Sequence, residues 1–191
     1  MTDAPLVLGF DTSGAHCAAA LVQGDTVLAS VGEEMTRGQA ERLMDMLHDV
    51  LDAGGATWAD LSALAVGVGP GNFTGIRIGV SAARGLALGL RIPAYGVTGF
   101  DARARIAPKG AQVMIAAPRD MAYVNDSGTP MLVQQASVDT PAPAPSPTAL
   151  AEAVAAIGSS RWPSDTAAPA PLYIKAPDAA PARDAPPTIL P

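Results

Sequence analysis

Aromatic residues are scarce, at 4% of 191 residues, and charged residues make up only 16% against 49% hydrophobic. A core with so few rings has to be filled by Ala, Val, Leu and Ile, whose small volumes draw packed elements close together. There is one cysteine, Cys17. It cannot form an intrachain disulfide, and its place in an apolar run makes it a small buried hydrophobe. The two histidines, His16 and His48, stand in different segments with no Cys or second His nearby, which argues against a protein-held transition metal. Basic residues are outnumbered 12 to 18, for a net charge of -6, and they are scattered. Such a chain lacks the basic patch needed to hold a nucleic-acid backbone alone. No apolar stretch approaches the roughly 20 residues needed to cross a bilayer, and MTDAP lacks the basic flank and apolar run of an export signal. A cytoplasmic protein with no membrane partner is expected.

What is present reads as an α/β chain. Leu6 to Phe10 is a short apolar run closed by Asp11-Thr12-Ser13-Gly14, a group suited to a tight turn. His16 to Val22 and Thr26 to Val31 flank Gly24-Asp25, which predicts a hairpin. From Gln39 to Leu51, Ala40, Leu43, Met44, Leu47, Val50 and Leu51 recur at helical spacing, with Gly54-Gly55 as the stop. Thr57 to Asp60 resembles a capping box before a buried strand over Leu64 to Val68. A second helix is expected over Ile76 to Leu90, a strand over Ala94 to Val97, and a helix capped by Thr98 reaching Ile106. Strand signals follow at Val113 to Ala116, Met121 to Val124 and Met131 to Gln134. Beyond Pro141 the chain turns Pro- and Ala-rich, predicting an extended linker, a short helix over Pro147 to Ile157, and a draped tail.

Three features carry chemical information. The run Gly67 to Gly75 (GVGPGNFTG) forms a strand-to-helix turn that brings backbone close to a phosphate, another loop or another chain, because glycine removes the Cβ. It is neither a P-loop nor a GxGxxG dinucleotide turn. Asp11, Thr12 and Ser13 could hold magnesium or phosphate, and with Gly69 and Gly71 they form a candidate nucleotide site; a plain Asx turn accounts for them equally well. Gly75, Gly79, Ala83 and Ala87 lie four apart along one narrow helical stripe, fit either for internal packing or for a partner helix. Arg77, Arg84 and Arg91 repeat every seven residues on a second stripe, a solvated face or one that pairs with acidic groups. Ser13, Ser81 and Cys17 sit in no recognisable nucleophile motif.

LVLGFDTSG, QAERLMDMLHDVL and LSALAVGVGPGNFTGIRIGVSAARGLALGLRIPAYGV together resemble the TsaB (YeaZ) family over residues 6–97, and GPGNFTGIRIG is close to a family signature. The segment PLYIKAPDAAPARD, residues 171–184, is similar to the family's C-terminal PxYxR-type stretch. The resemblance implies an actin-like ATPase/sugar-kinase (ASKHA) fold, with an RNase H-like first lobe over residues 1–100. A reduced second lobe, linker and tail would occupy 101–191. It implies a non-catalytic subunit that binds and activates TsaD, working with TsaE and TsaC, in transferring a threonylcarbamoyl group to adenosine 37 of tRNAs reading ANN codons. On this basis tRNA is contacted mainly through partners, and the chain forms a homodimer when TsaD is absent.

The family pairs its two first-lobe helices with those of TsaD. The expected interface here is therefore Leu43, Leu47, Gly75, Arg77, Gly79, Ala83, Arg84 and Ala87. ATP and metal are expected in TsaD and no cofactor in this chain: where TsaD carries an HxxxH metal segment, this sequence has Gly99 and Arg103, and neither offers a lone pair to a metal. The family's Asp-Ala-Arg segment survives only as Ala117-Pro118-Arg119. The alternative reading is an enzyme in its own right, an ATP-binding actin-like transferase or a metallopeptidase.

Overall fold

The computed structural model describes residues 4–174. Its main body is a five-stranded sheet in the order β3-β2-β1-β4-β5. Strands β1 (Leu6–Asp11), β2 (His16–Gln23) and β3 (Thr26–Glu34) form an antiparallel meander. Gln23 pairs with Thr26, so Gly24-Asp25 is the two-residue turn, with Gly24 at φ +60. Strands β4 (Ala63–Gly67) and β5 (Ala94–Val97) then join parallel to β1. Parallel partners need crossovers, and these are helices α1 (Gln39–Ala53) and α2 (Phe73–Leu90).

Both faces of the sheet are covered, which explains why β1 and β4 read as unbroken apolar runs instead of alternating. Leu8, Phe10, Cys17, Ala19, Leu21, Leu64 and Val66 point to α1 and α2. Val7, Ala18, Ala20, Ala63 and Ala65 point the other way, to α4 (Pro147–Arg161). That second face is lined mainly by alanine, and α4 meets it with Ala151, Ala155 and Gly158. A Cβ on Gly9 would lie 2.5 Å from the Cα of Ala155, and one on Gly158 would lie 2.5 Å from the Cβ of Ala65. The small-residue composition is thus spent on bringing helix backbone against strand backbone.

Between β5 and α4 the chain makes α3 (Gly99–Ile106), whose Thr98 cap accepts from Asp101 N at 3.0 Å. It then forms an antiparallel three-stranded sheet of β6 (Met114–Ala117), β7 (Met121–Asp126) and β8 (Thr129–Gln134). The expected boundary at residue 100 needs correction in one respect. Helix α4 packs on the first sheet, so within 101–174 it is the segment between α3 and α4 that stands apart as the second, small sheet. The C-terminal segment returns as well: Leu172 N donates to Val68 O at 2.8 Å. The rest of the tail expected up to residue 184 lies outside the described residues.

Two helices differ in detail from expectation. In α1 the buried set is Leu43, Met46, Leu47, Val50 and Leu51, while Met44 is 40% exposed; the i, i+3, i+4, i+7 positions face the sheet and exclude Met44. Helix α2 begins at Phe73, three residues before the expected Ile76, because Asn72 Oδ1 accepts from Gly75 N at 2.9 Å and satisfies an otherwise orphaned amide. Among the described residues no helix is long and apolar enough to cross a membrane.

Two glycine substitutions separate packing from propensity. Gly9→Ala forces a Cβ into the backbone of α4, and a loss of about 1–3 kcal/mol is expected in urea unfolding. Gly85→Ala, in mid-α2 with nothing within 4 Å of its added Cβ, is expected to stabilise by about 0.5–1 kcal/mol. Similar effects at both positions would contradict the close α4–β1 contact.

Candidate functional site

The end of β1 is the most densely tied point of the molecule. Ser13 N and Ser13 Oγ each donate to Asp11 Oδ1 at 2.8 Å, and His16 Nε2 lies 2.7 Å from the same oxygen. Thr12 Oγ1 donates to Gly75 O at 2.7 Å, and Asn72 N donates to Ser13 O at 2.7 Å. Asp11 is 2% exposed. Burial alone would raise its pKa, but hydrogen bonds and charge from His16, with the bonds from Ser13, outweigh it and hold the carboxyl below its ordinary 3.8. His16 is a partner that the sequence reading left out. The available signal was the β1–β2 reversal, which pairs Asp11 with Ala18 and so leaves His16, two residues earlier in β2, close to the end of β1.

The glycine run lies directly on this turn. A Cβ on Gly67 would overlap the Asp11 carboxylate, one on Gly71 the Ser13 carbonyl, and one on Gly75 the Thr12 carbonyl. A Cβ on Gly79 would stand 2.8 Å from Thr12 Oγ1 and 3.3 Å from Val66 Cγ2. Of the three approaches left open by the sequence, the structure shows a loop on a loop. As a candidate nucleotide site the set divides. Ser13 and Gly71 border a cleft, whereas Asp11 and Thr12 are buried beneath it with their polar atoms engaged, and Gly69 O accepts from Gly99 N at 2.8 Å.

That cleft, about 890 Å³, lies between the β1 turn and start of α2 on one side and the β6-β7-β8 sheet on the other. Arg103 borders it, with Nη1 donating to Gly99 O at 3.2 Å. Burial pushes the Arg103 pKa down and the Asp11 carboxylate pulls it up, with burial the larger influence. Among the described residues, no three His, Cys, Asp or Glu side chains gather in a way that could hold a metal ion.

The expected partner surface requires a correction. Leu43, Leu47, Gly75, Gly79 and Ala83 are all buried within the chain, facing the sheet and the β1 turn, and Ala87 is half-buried. The small-residue stripe is therefore used in internal packing. Arg77 and Arg84 are exposed, and Arg77 is also engaged: its guanidinium lies 3.9 Å from the Phe73 ring centroid, and Nε donates to Tyr173 OH at 3.0 Å. The outward face of α2 is Ser81, Arg84, Gly85 and Leu88, at i, i+3, i+4 and i+7. Leu88 is 82% exposed, and neither Gly85 nor Gly89 has an atom within 4 Å of where a Cβ would be. An apolar residue out of phase with the buried set was the sequence signal for this face.

Residues 26–151 match the family model for TsaD, tRNA N6-adenosine threonylcarbamoyltransferase. The chain is 42% identical over 92 residues to the tRNA threonylcarbamoyladenosine biosynthesis protein TsaB of Escherichia coli strain K12. It is 36% identical over 95 residues to TsaB of Bacillus subtilis strain 168. The chain belongs to the TsaB/YeaZ family. These matches cover 48% and 50% of this chain but only 39% and 42% of the two relatives, so the chain spans about two fifths of the curated relatives it matches. The solved YeaZ structure from Pseudomonas aeruginosa superposes with a TM-score of 0.71 at 26% identity, covering 89% of this chain and 100% of that one. The fold of the solved YeaZ structure is thus shared by most of this chain.

The depressed Asp11 pKa gives a pH dependence of definite sign. Its stabilisation is complete above about pH 3.8 and is lost as the pH falls through the lower folded-state value. Asp11→Asn is expected to cost about 1–3 kcal/mol near pH 7, since buried donors lose a charged acceptor. The difference from the unaltered chain should shrink on acidification below pH 3.8. Urea unfolding of both proteins across that range tests this, and a pH-independent difference would rule out the carboxylate as the cause.

Proposed function

We propose that this chain is a non-catalytic subunit that binds and activates TsaD in transferring a threonylcarbamoyl group to adenosine 37 of tRNAs reading ANN codons. Its docking surface is the outward face of α2, Ser81, Arg84, Gly85 and Leu88, together with the exposed side of α1 around Met44 and His48. The observation that carries this reading is the pairing of family membership with a helix face left unfilled. A glycine in mid-helix costs about 1 kcal/mol relative to alanine, and at Gly85 no intrachain contact accounts for it. A partner helix crossing there can approach to about 8 Å, the lower end of helix spacing. The strongly exposed Leu88 supplies apolar area to the same contact.

In this reading TsaE joins the assembled pair and tRNA is held mainly by the partners, in keeping with the chain's net charge of -6. The same helices form a homodimer when TsaD is absent. ATP and metal reside in TsaD. The internal engagement of Asp11 and Thr12 supports a structural role for the β1 turn over a catalytic one.

Two substitutions on the open face test the surface without disturbing the core. Gly85→Trp and Leu88→Asp are each expected to weaken binding to TsaD at least about tenfold, roughly 1.4 kcal/mol, in titration calorimetry. Circular dichroism and thermal unfolding should remain near those of the unaltered chain. Gly79→Leu, by contrast, is expected to disrupt the fold through Thr12 and Val66. Unchanged affinity in both surface variants would reject the interface, and full tRNA modification in a reaction lacking this chain would reject the role.

A further inference from the structure

The sheet edges of the described chain are treated unequally. The outer side of β5 is crossed by the C-terminal segment, where Arg161 Nη1 donates to Gly96 O at 2.7 Å and Pro169 lies against Gly96. Edge strand β8 carries Pro130, which has no N–H, and edge strand β6 is only four residues long. Strand β3, by contrast, runs for nine residues and has β2 as its one neighbour. Met35 N donates to Ala15 O at 2.9 Å, so β3 residues in step with Met35 bond to β2, and the alternate ones, Ser30, Gly32 and Glu34, turn N–H and C=O outward. Among the described residues, nothing bonds to those outward groups.

This edge lacks the charges and prolines that keep such strands apart. Thr26 to Gly32 has neither, in a chain with a net charge of -6 and 18 prolines. Its one irregularity of register, opposite Leu21 and Val22, lies toward the hairpin end, before Ser30. Val27 and Leu28 are 44% and 38% exposed. The acids of the strand are Glu33 and Glu34 at its end, and Glu33 is held by Arg42 Nη2 at 2.8 Å. The strand is complementary to itself. A two-fold axis at Val31 sets Ser30 opposite Gly32 of a second copy and Glu34 opposite Leu28, so no like charges face each other. Ser30 and Gly32 of the two copies then exchange about four hydrogen bonds, and the two Val31 side chains form a β-branched pair.

We propose that β3 pairs antiparallel with β3 of a second copy of this chain, joining the two main sheets into one continuous sheet. An extended peptide from another protein would meet the same outward donors and acceptors, but it gives no reason for the strand's self-complementary pattern, which a second copy does. The contact is separate from the outward face of α2. Helix α2 packs on β4 and β5, at the other side of the sheet, so a pair joined through β3 leaves Ser81, Arg84, Gly85 and Leu88 uncovered in both copies. The pairing does not depend on docking at α2.

Amide hydrogen exchange followed by NMR on the full chain, at about 10 µM and about 500 µM, tests this. The Ser30 and Gly32 amides are expected to exchange at least about tenfold more slowly at the higher concentration, while that of Gly110, in an exposed turn, stays the same. Ser30→Pro is expected to abolish the protection at Gly32, because proline removes the outward N–H. Ser30→Ala, which keeps that N–H and loses only the hydroxyl bond to Glu152, is expected to retain it. Sedimentation in a Leu88→Asp background, where contact through α2 is disabled, is expected to show a dimer that Ser30→Pro reduces to a monomer. If Ser30→Pro fails to fold by circular dichroism, Leu28→Lys, which puts a charge on the exposed edge, decides in its place. The proposal is overturned if exchange at Ser30 and Gly32 does not depend on concentration, if the edge variant is protected as well as the unaltered chain, or if the protected species sediments as a monomer.

Discussion

Asp11, Thr12 and Ser13 are clamped from two sides, by their own hydrogen bonds and by a backbone run that has no side chain at Gly67, Gly71, Gly75 and Gly79. Much else is positioned from this contact. It fixes where β4 ends and where α2 begins, since Asn72 N bonds to Ser13 O while Asn72 Oδ1 caps the helix. It therefore sets the rotation of α2 about its axis. Gly79 and Ala83 are turned inward, which leaves Gly85 and Leu88 outward. The cleft wall and the outward face of α2 are two outcomes of one packing decision.

The order and type of elements through β5 could be read from sequence because each had a local cause. Gly24-Asp25 sets the hairpin, Thr98 sets a helix start, and the unbroken apolar runs at β1 and β4 mark strands buried on both faces. The small strands β6 to β8 were also legible from their short apolar runs between turn residues. Membership of the TsaB/YeaZ family followed from the same stretch, because the Asp11 turn and the glycine run are bound to each other and so are both readable as motifs.

What could not be read was direction. The four-residue period of Gly75, Gly79, Ala83 and Ala87 shows that a helix needs close approach on that side, but periodicity does not say whether the neighbour is a strand of the same chain or a helix of another. Nor does composition place α4: an alanine-rich helix carries little amphipathic signal, and only the three-dimensional arrangement brings Ala155 against Gly9. The Asp11–His16 pair and the placement of Arg103 near Asp11 are likewise products of tertiary placement.

The return of α4 to the first sheet has a consequence for synthesis. Strand β1 leaves the ribosome well before α4, yet the helix that covers its second face ends at Arg161. Until then Val7, Ala18, Ala20 and Ala63 present a bare apolar surface, and the meander can be only half enclosed. A closure spanning so much of the chain slows folding and leaves a sticky intermediate while translation continues. A ribosome that stalls before α4 therefore releases a product with a complete sheet and no roof, matter for chaperones and proteases.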